Sequence, residues 1–165
     1  MPSVSKDLPL SELTLRRYER PSEIKGRDLV KRLCLSMGLL QPGDSRDVVV
    51  DVLMVMLEAR KTKEELSSDE IRERVVEMRK RHNIPLLGIA HSNVRRQLKR
   101  LKDLFLIESN VTNYRITEFM SLSEVFAEKG ESYLLNSILS RVREYLEHVD
   151  KEFGHVGNEH SQKGF

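Results

Sequence analysis

The residues of this chain that could do chemistry fall into three groups. His91, Ser92 and Asn93 are followed closely by Arg95, Arg96, Lys99, Arg100 and Lys102. A guanidinium can make paired hydrogen bonds to guanine, a carboxamide can do the same to adenine, and ammonium groups hold phosphates, so this set suits duplex DNA. The second group, His148, Asp150, Glu152, His155, Glu159 and His160, is made of types that ligate divalent metals, with His148 and Glu152 four apart on one helix face. No characteristic metal-site spacing runs through it, and a hydrophilic helix end is the commoner meaning. The third is the single cysteine, Cys34, which can form neither an internal disulfide nor a thiolate zinc cluster. It lies on an apolar stripe with no histidine nearby. Without a glycine-rich phosphate loop or a serine nucleophile elbow, the sequence reads as a non-enzyme with no cofactor and no bound metal.

The first group sits in an unusual stretch of chain. Of 165 residues with a formal net charge of +2, residues 1–71 carry −1, residues 72–102 carry +8 and residues 103–165 carry −5. A solvated helix face normally intersperses Glu four residues from its cations, and residues 72–102 contain only Glu73 and Glu77 as acids. Such a segregated excess is the footprint of a surface that meets phosphates.

Periodicity then gives the elements that must position these groups. Residues 1–23, with Pro2, Pro9 and Pro21, read as an irregular arm whose Arg16, Arg17 and Arg20 could touch a nucleic-acid backbone. A helix follows over residues 24–40, stopped by Gln41-Pro42-Gly43. A second, apolar almost all round from Val48 to Leu57 and capped by Asp44 or Ser45, must be the most buried. Its apolar run is half the about 20 residues a membrane helix needs. With no leader pattern visible, a cytoplasmic protein without membrane contact is expected.

Ser67 and Glu70 form a capping box for a third helix, with Ile71, Val75 and Met78 inward and Arg72, Arg74, Arg79, Lys80 and Arg81 outward. Asn83 and Pro85 end it. Val94, Leu98, Leu101 and Leu104 or Phe105 make the buried stripe of the basic helix. A hairpin is expected from residues 106–108 and 114–117 around the loop 109–113. A short helix over residues 121–129, stopped at Gly130, and a long one over residues 131–153 complete the chain before a polar tail.

The order helix, helix, turn, basic helix, hairpin resembles the winged helix-turn-helix family of DNA-binding transcriptional regulators, of prokaryotic and archaeal type. The stretch Leu87-Gly88-Ile89-Ala90-His91-Ser92-Asn93-Val94-Arg95-Arg96-Gln97-Leu98-Lys99-Arg100-Leu101-Lys102-Asp103-Leu104-Phe105-Leu106-Ile107-Glu108 and the returning Asn113-Tyr114-Arg115-Ile116-Thr117 carry the likeness, over about residues 44–120. Three features depart from the pattern: a longer turn containing Pro85, Ala90 where a capping Ser is common, so that His91 or Ser92 would cap instead, and Phe105 where a glycine is typical. The resemblance implies a mainly α fold with a small β-hairpin wing. It also implies a recognition helix over about residues 91–104 in the major groove, and wing contacts from Asn110, Thr112, Asn113 and Arg115.

The chain therefore divides into an N-terminal arm and helix (residues 1–43), a winged helix-turn-helix domain (residues 44–120) and a C-terminal helical extension (residues 121–165). In the extension, Leu135, Ile138, Val142, Tyr145, Val149 and Phe153 approximate a heptad stripe that wants either the body of its own chain or a partner helix. The expected function is sequence-specific binding of double-stranded DNA by a homodimer. The alternative is a winged-helix protein–protein interaction module in a transcription, replication or chromosome-maintenance complex, its basic helix meeting an acidic partner or RNA. Tyr133, Tyr145 and the methionines suit either a small-molecule effector pocket or, more commonly at helical spacing, core packing.

Overall fold

The computed structural model of the protein describes residues 7–154. In chain order these form α1 (Gly26–Ser36), α2 (Val48–Lys61), β1 (Leu66–Ser67), α3 (Ser68–Arg81), α4 (His91–Asp103), β2 (Ile107–Asn110) and β3 (Asn113–Ile116). A 3-10 turn (Thr117–Phe119) leads to a continuous rod of α5 (Leu122–Val125), a π-helical stretch (Phe126–Leu135) and α6 (Asn136–Glu152). The described residues are mainly helical with one small three-stranded antiparallel sheet.

The apolar character of α2 on every side makes it the hub: Val48, Val49, Val52, Leu53, Val55, Met56 and Ala59 are all buried, and α1, α3, α4 and β3 pack around it. Neither Asp44 nor Ser45 caps it. The Asp44 carboxylate instead accepts the Arg46 amide at 2.9 Å in a turn ahead of the helix. Asp47 occupies the cap position without making a cap bond, because its carboxylate is committed to Arg27 and Arg79.

Those two arginines overturn one expectation. Arg79 does not face out; it is only 2% exposed. Its Nε donates to Asp51 Oδ2 at 2.8 Å, its Nη2 to Asp47 Oδ1 at 2.7 Å and its Nη1 to the Pro85 carbonyl at 2.6 Å. Arg27 of α1 closes the cluster on Asp51 Oδ1 at 2.9 Å and Asp47 Oδ2 at 3.0 Å. Asp51 is fully buried in the otherwise apolar run of residues 48–57 in α2, and an unpaired carboxylate there would cost several kcal/mol, so two cations are drawn inward to it.

The capping box forms as expected, with Ser67 Oγ accepting from Glu70 N at 3.2 Å and Glu70 Oε1 accepting from Ser67 N at 3.3 Å. Ser67 also ends β1, which pairs with β3 through Leu66↔Tyr114 and Ser67↔Asn113 and gives the sheet order β1-β3-β2. Only the β2-β3 hairpin is readable from sequence; a two-residue strand has no alternation to read. The hairpin is also tighter than expected. Asn110 pairs with Asn113, leaving Val111-Thr112 as the loop, with Val111 at φ +60°.

Asn83 is the left-handed cap expected, at φ +54°. Phe105 itself takes φ +64°, so the bend after α4 is made despite the missing glycine. Its carbonyl accepts from Thr117 Oγ1 at 2.6 Å, and its ring packs edge-on against Tyr133 at 5.9 Å.

Gly130 does not stop a helix. It is buried mid-rod, where a Cβ would lie 2.5 Å from the Phe126 ring, so its bare backbone lets that ring lie across the helix. Beyond it, α6 does not fold back: none of its residues is buried. Among the described residues no helix is long and apolar enough to cross a membrane.

Candidate nucleic-acid interface

α4 is divided lengthwise by its sequence. Val94, Leu98 and Leu101 are buried against the hub, whereas Ser92, Arg95, Arg96 and Lys99 are exposed on the opposite face. The helix starts at Ala90 with no side-chain cap, so neither His91 nor Ser92 serves as one. Its first amides are left for solvent or for an anion.

The expected contact residues separate into two sets. Arg95 and Arg96 make no side-chain hydrogen bond or ion pair among the described residues and stand in solvent. Lys99 lies 3.2 Å from Asp103, an exposed i,i+4 pair that costs little to open. Ser92, Asn110 and Thr112 are exposed, and His91 Nδ1 sits 3.2 Å from Asp69 Oδ1 at the surface.

The other set is tied to neighbouring groups of the fold, Lys102 while still exposed. Asn93 donates to the Gly88 carbonyl at 2.6 Å and accepts from Gln97 at 3.1 Å, fixing the turn before α4. Arg100 donates to Gln97 at 2.8 Å and to the Gly38 carbonyl at 3.1 Å, tying α4 to the end of α1. Lys102 donates to Ser109 Oγ at 2.9 Å and joins α4 to β2. Asn113 is half-buried in the ladder. Arg115 lies 2.8 Å from Glu108 and 3.5 Å from Glu65, with its guanidinium 5.0 Å from the Phe119 ring centre. Burial works to raise the Glu108 pKa, but the Glu118 amide and Arg115 outweigh it and hold the carboxyl below its ordinary range.

The same division runs through the rest of the basic segment. Arg72 donates to the Ile89 carbonyl at 2.7 Å and Arg74 pairs with Glu64 at 3.2 Å, while Lys80 and Arg81 remain exposed. In the arm, Arg16 is spent on the α1 end, donating to the carbonyls of Leu35 at 2.8 Å and Leu40 at 3.2 Å. Arg17 and Arg20 are exposed.

Val111, at the hairpin tip and 94% exposed, is the surface feature that residue type alone does not flag. Its signal lies in the two-residue loop, which appears only once the register is known.

On α6, His148, Asp150 and Glu152 are exposed; their expected companions His155, Glu159 and His160 lie outside the described residues. No group of three His, Cys, Asp or Glu side chains among the described residues is placed to hold a metal ion. Tyr145 stands on the exposed face of α6, and Leu139 and Leu146, absent from the expected stripe, are exposed beside it. Comparison of the chain with protein-family models, curated proteins and solved structures finds no match.

Proposed function

We propose that the protein binds double-stranded DNA as a homodimeric, winged helix-turn-helix transcriptional regulator, with α4 entering the major groove and the β2-β3 hairpin beside it as the wing. The observation that carries this reading is the exposed face of Ser92, Arg95, Arg96 and Lys99, opposite the buried stripe of the same helix. A helix with that face outward fits a groove about 12 Å wide, with its N-terminal side chains toward the bases.

Two further features support it. α2, α3, the turn, α4 and the hairpin follow in the order of the winged helix-turn-helix resemblance, and the left-handed Phe105 preserves the bend for which that family uses glycine. β1 pairs with β3, and Lys102 at the end of α4 donates to Ser109 of β2, so the hairpin is tied both to the strand before α3 and to α4.

Fluorescence anisotropy with random-sequence duplex DNA across a salt series tests the reading. Binding should weaken with a steep negative slope of log affinity against log salt, because each neutralised phosphate releases counterions. The combined change Arg95→Ala, Arg96→Ala and Lys99→Ala should abolish binding with an unchanged circular-dichroism melt. Absence of wild-type binding at low salt would overturn it and favour a protein-docking role for the same face.

A further inference from the structure

We infer that α6 pairs with α6 of a second copy of this chain in antiparallel orientation, through Leu135, Leu139, Val142, Leu146, Val149 and Phe153. This deepens the homodimer of the proposed function by fixing its surface and direction, and it stands independently of DNA binding.

Those residues alternate at spacings of four and three, the repeat of a two-helix seam. All but half-buried Leu135 are exposed large apolar groups, Val142 at 49% and Phe153 at 81%. α6 fully buries none of its residues against its own chain, and Ile138 alone of its large aliphatic side chains is even half-buried. A contiguous apolar stripe on such a rod is an association surface.

Charge selects both the occupant and the direction. Residues 136–143 contain Arg141 and Arg143 and no acid, net +2; residues 144–152 contain Glu144, Glu147, Asp150 and Glu152 against Lys151, net −3 with His148 neutral. A parallel pair sets −3 beside −3, whereas an antiparallel pair lays the basic half of each helix over the acidic half of the other. With Glu144 at the centre, Leu139 of one copy faces Val149 of the second, Val142 faces Leu146, and Leu135 faces Phe153. Every layer is then apolar and Arg141 lies level with Glu147 of the second copy. The bodies are carried to opposite ends of the pair, which places the two recognition helices farther apart than a side-by-side parallel arrangement would.

Sedimentation velocity of the full chain, without DNA, should give twice the 19.2 kDa chain mass. Val142→Glu should give a monomer with an unchanged melt of the body. Oxidising an equal mixture of differently tagged Leu139→Cys and Val149→Cys chains should yield mixed cross-links only, since a disulfide needs Cα atoms within about 7 Å. Cys34 is buried and stays silent. A monomeric wild type, a dimeric Val142→Glu, or cross-links joining Leu139→Cys to itself would each overturn the inference, whatever the protein does with DNA.

Discussion

Arg79 Nε lies 2.8 Å from Asp51 Oδ2 with both side chains sealed from solvent, so a cation from the most basic part of the sequence neutralises a carboxylate in the core. The pair joins α3 to α2, and through Arg27 it reaches α1 as well. Breaking one side leaves an uncompensated ion in the core. Asp51→Asn should therefore lower stability by about 3 to 5 kcal/mol, measured by urea unfolding at neutral pH. A reduction below about 1 kcal/mol would mean that water reaches the cluster.

Asp47 gives the same cluster a pH dependence. Burial works to raise its pKa, but the hydrogen bonds and charges of Arg27 and Arg79 outweigh burial and hold the carboxyl below its ordinary 3.8. Because the folded value is the lower one, the stabilisation is complete above the ordinary value and disappears as pH falls through the folded one. The urea midpoint should drop as pH falls through the ordinary 3.8 and below it, and Asp47→Asn should be less stable at neutral pH yet flatter over that acid range.

How much of the molecule is legible in the sequence depends on the range over which each signal acts. The capping box, the Asn83 cap and the buried stripes of α2 and α4 are local patterns, and all appear where residue spacing puts them. Arg79 falls four residues after Val75 and eight after Ile71, so spacing alone puts it on the buried face of α3, but its charge reads it outward because the carboxylates that accept it are 28 and 32 positions away. Gly130 has the same ambiguity: a glycine reads as a helix stop, and only the Phe126 ring shows that it is a packing position. For the interface, the exposed arginines are legible as a set. The assignment of Asn93, Arg100 and Arg115 to internal bonds is not, since each depends on a carbonyl or carboxylate supplied by the fold.

That division predicts two phenotypes among neighbouring residues. Arg95→Ala combined with Arg96→Ala should weaken duplex binding and flatten its salt slope by about 0.9 for each phosphate no longer neutralised, with an unchanged melting temperature. Arg100→Ala should lower the melting temperature and leave the slope intact, since it removes a tie to Gly38 rather than an exposed cation. A flattened slope with normal stability in Arg100→Ala would place that side chain on the phosphates.

Cys34 should behave as core. Burial pushes its thiol up to about 12, with Arg100 and Arg27 only partly opposing it, so almost no thiolate exists near neutral pH. Iodoacetamide at about pH 8, near the ordinary thiol value, should leave the folded chain unlabelled and modify it fully in urea. Rapid labelling of the folded protein would show that the packing between α1 and the hub opens readily.

Val111 offers a test in which stability and binding move apart. A β-branched side chain at φ +60° sits where glycine is favoured, at a cost of about 1 to 3 kcal/mol, and at 94% exposure it recovers none of that by burial. Val111→Gly relieves the strain but adds about 0.4 to 1 kcal/mol of unfolded-state entropy, so the net effect should be a stabilisation of about 1 kcal/mol. In a chain of this length that is a rise of about 2 to 4 °C in melting temperature. The same change removes the apolar tip of the proposed wing, so duplex affinity should fall several-fold. A lower melting temperature would show that the valine is not strained in solution. A higher one with unchanged affinity would show that the tip stands clear of the DNA, leaving α4 as the contact surface.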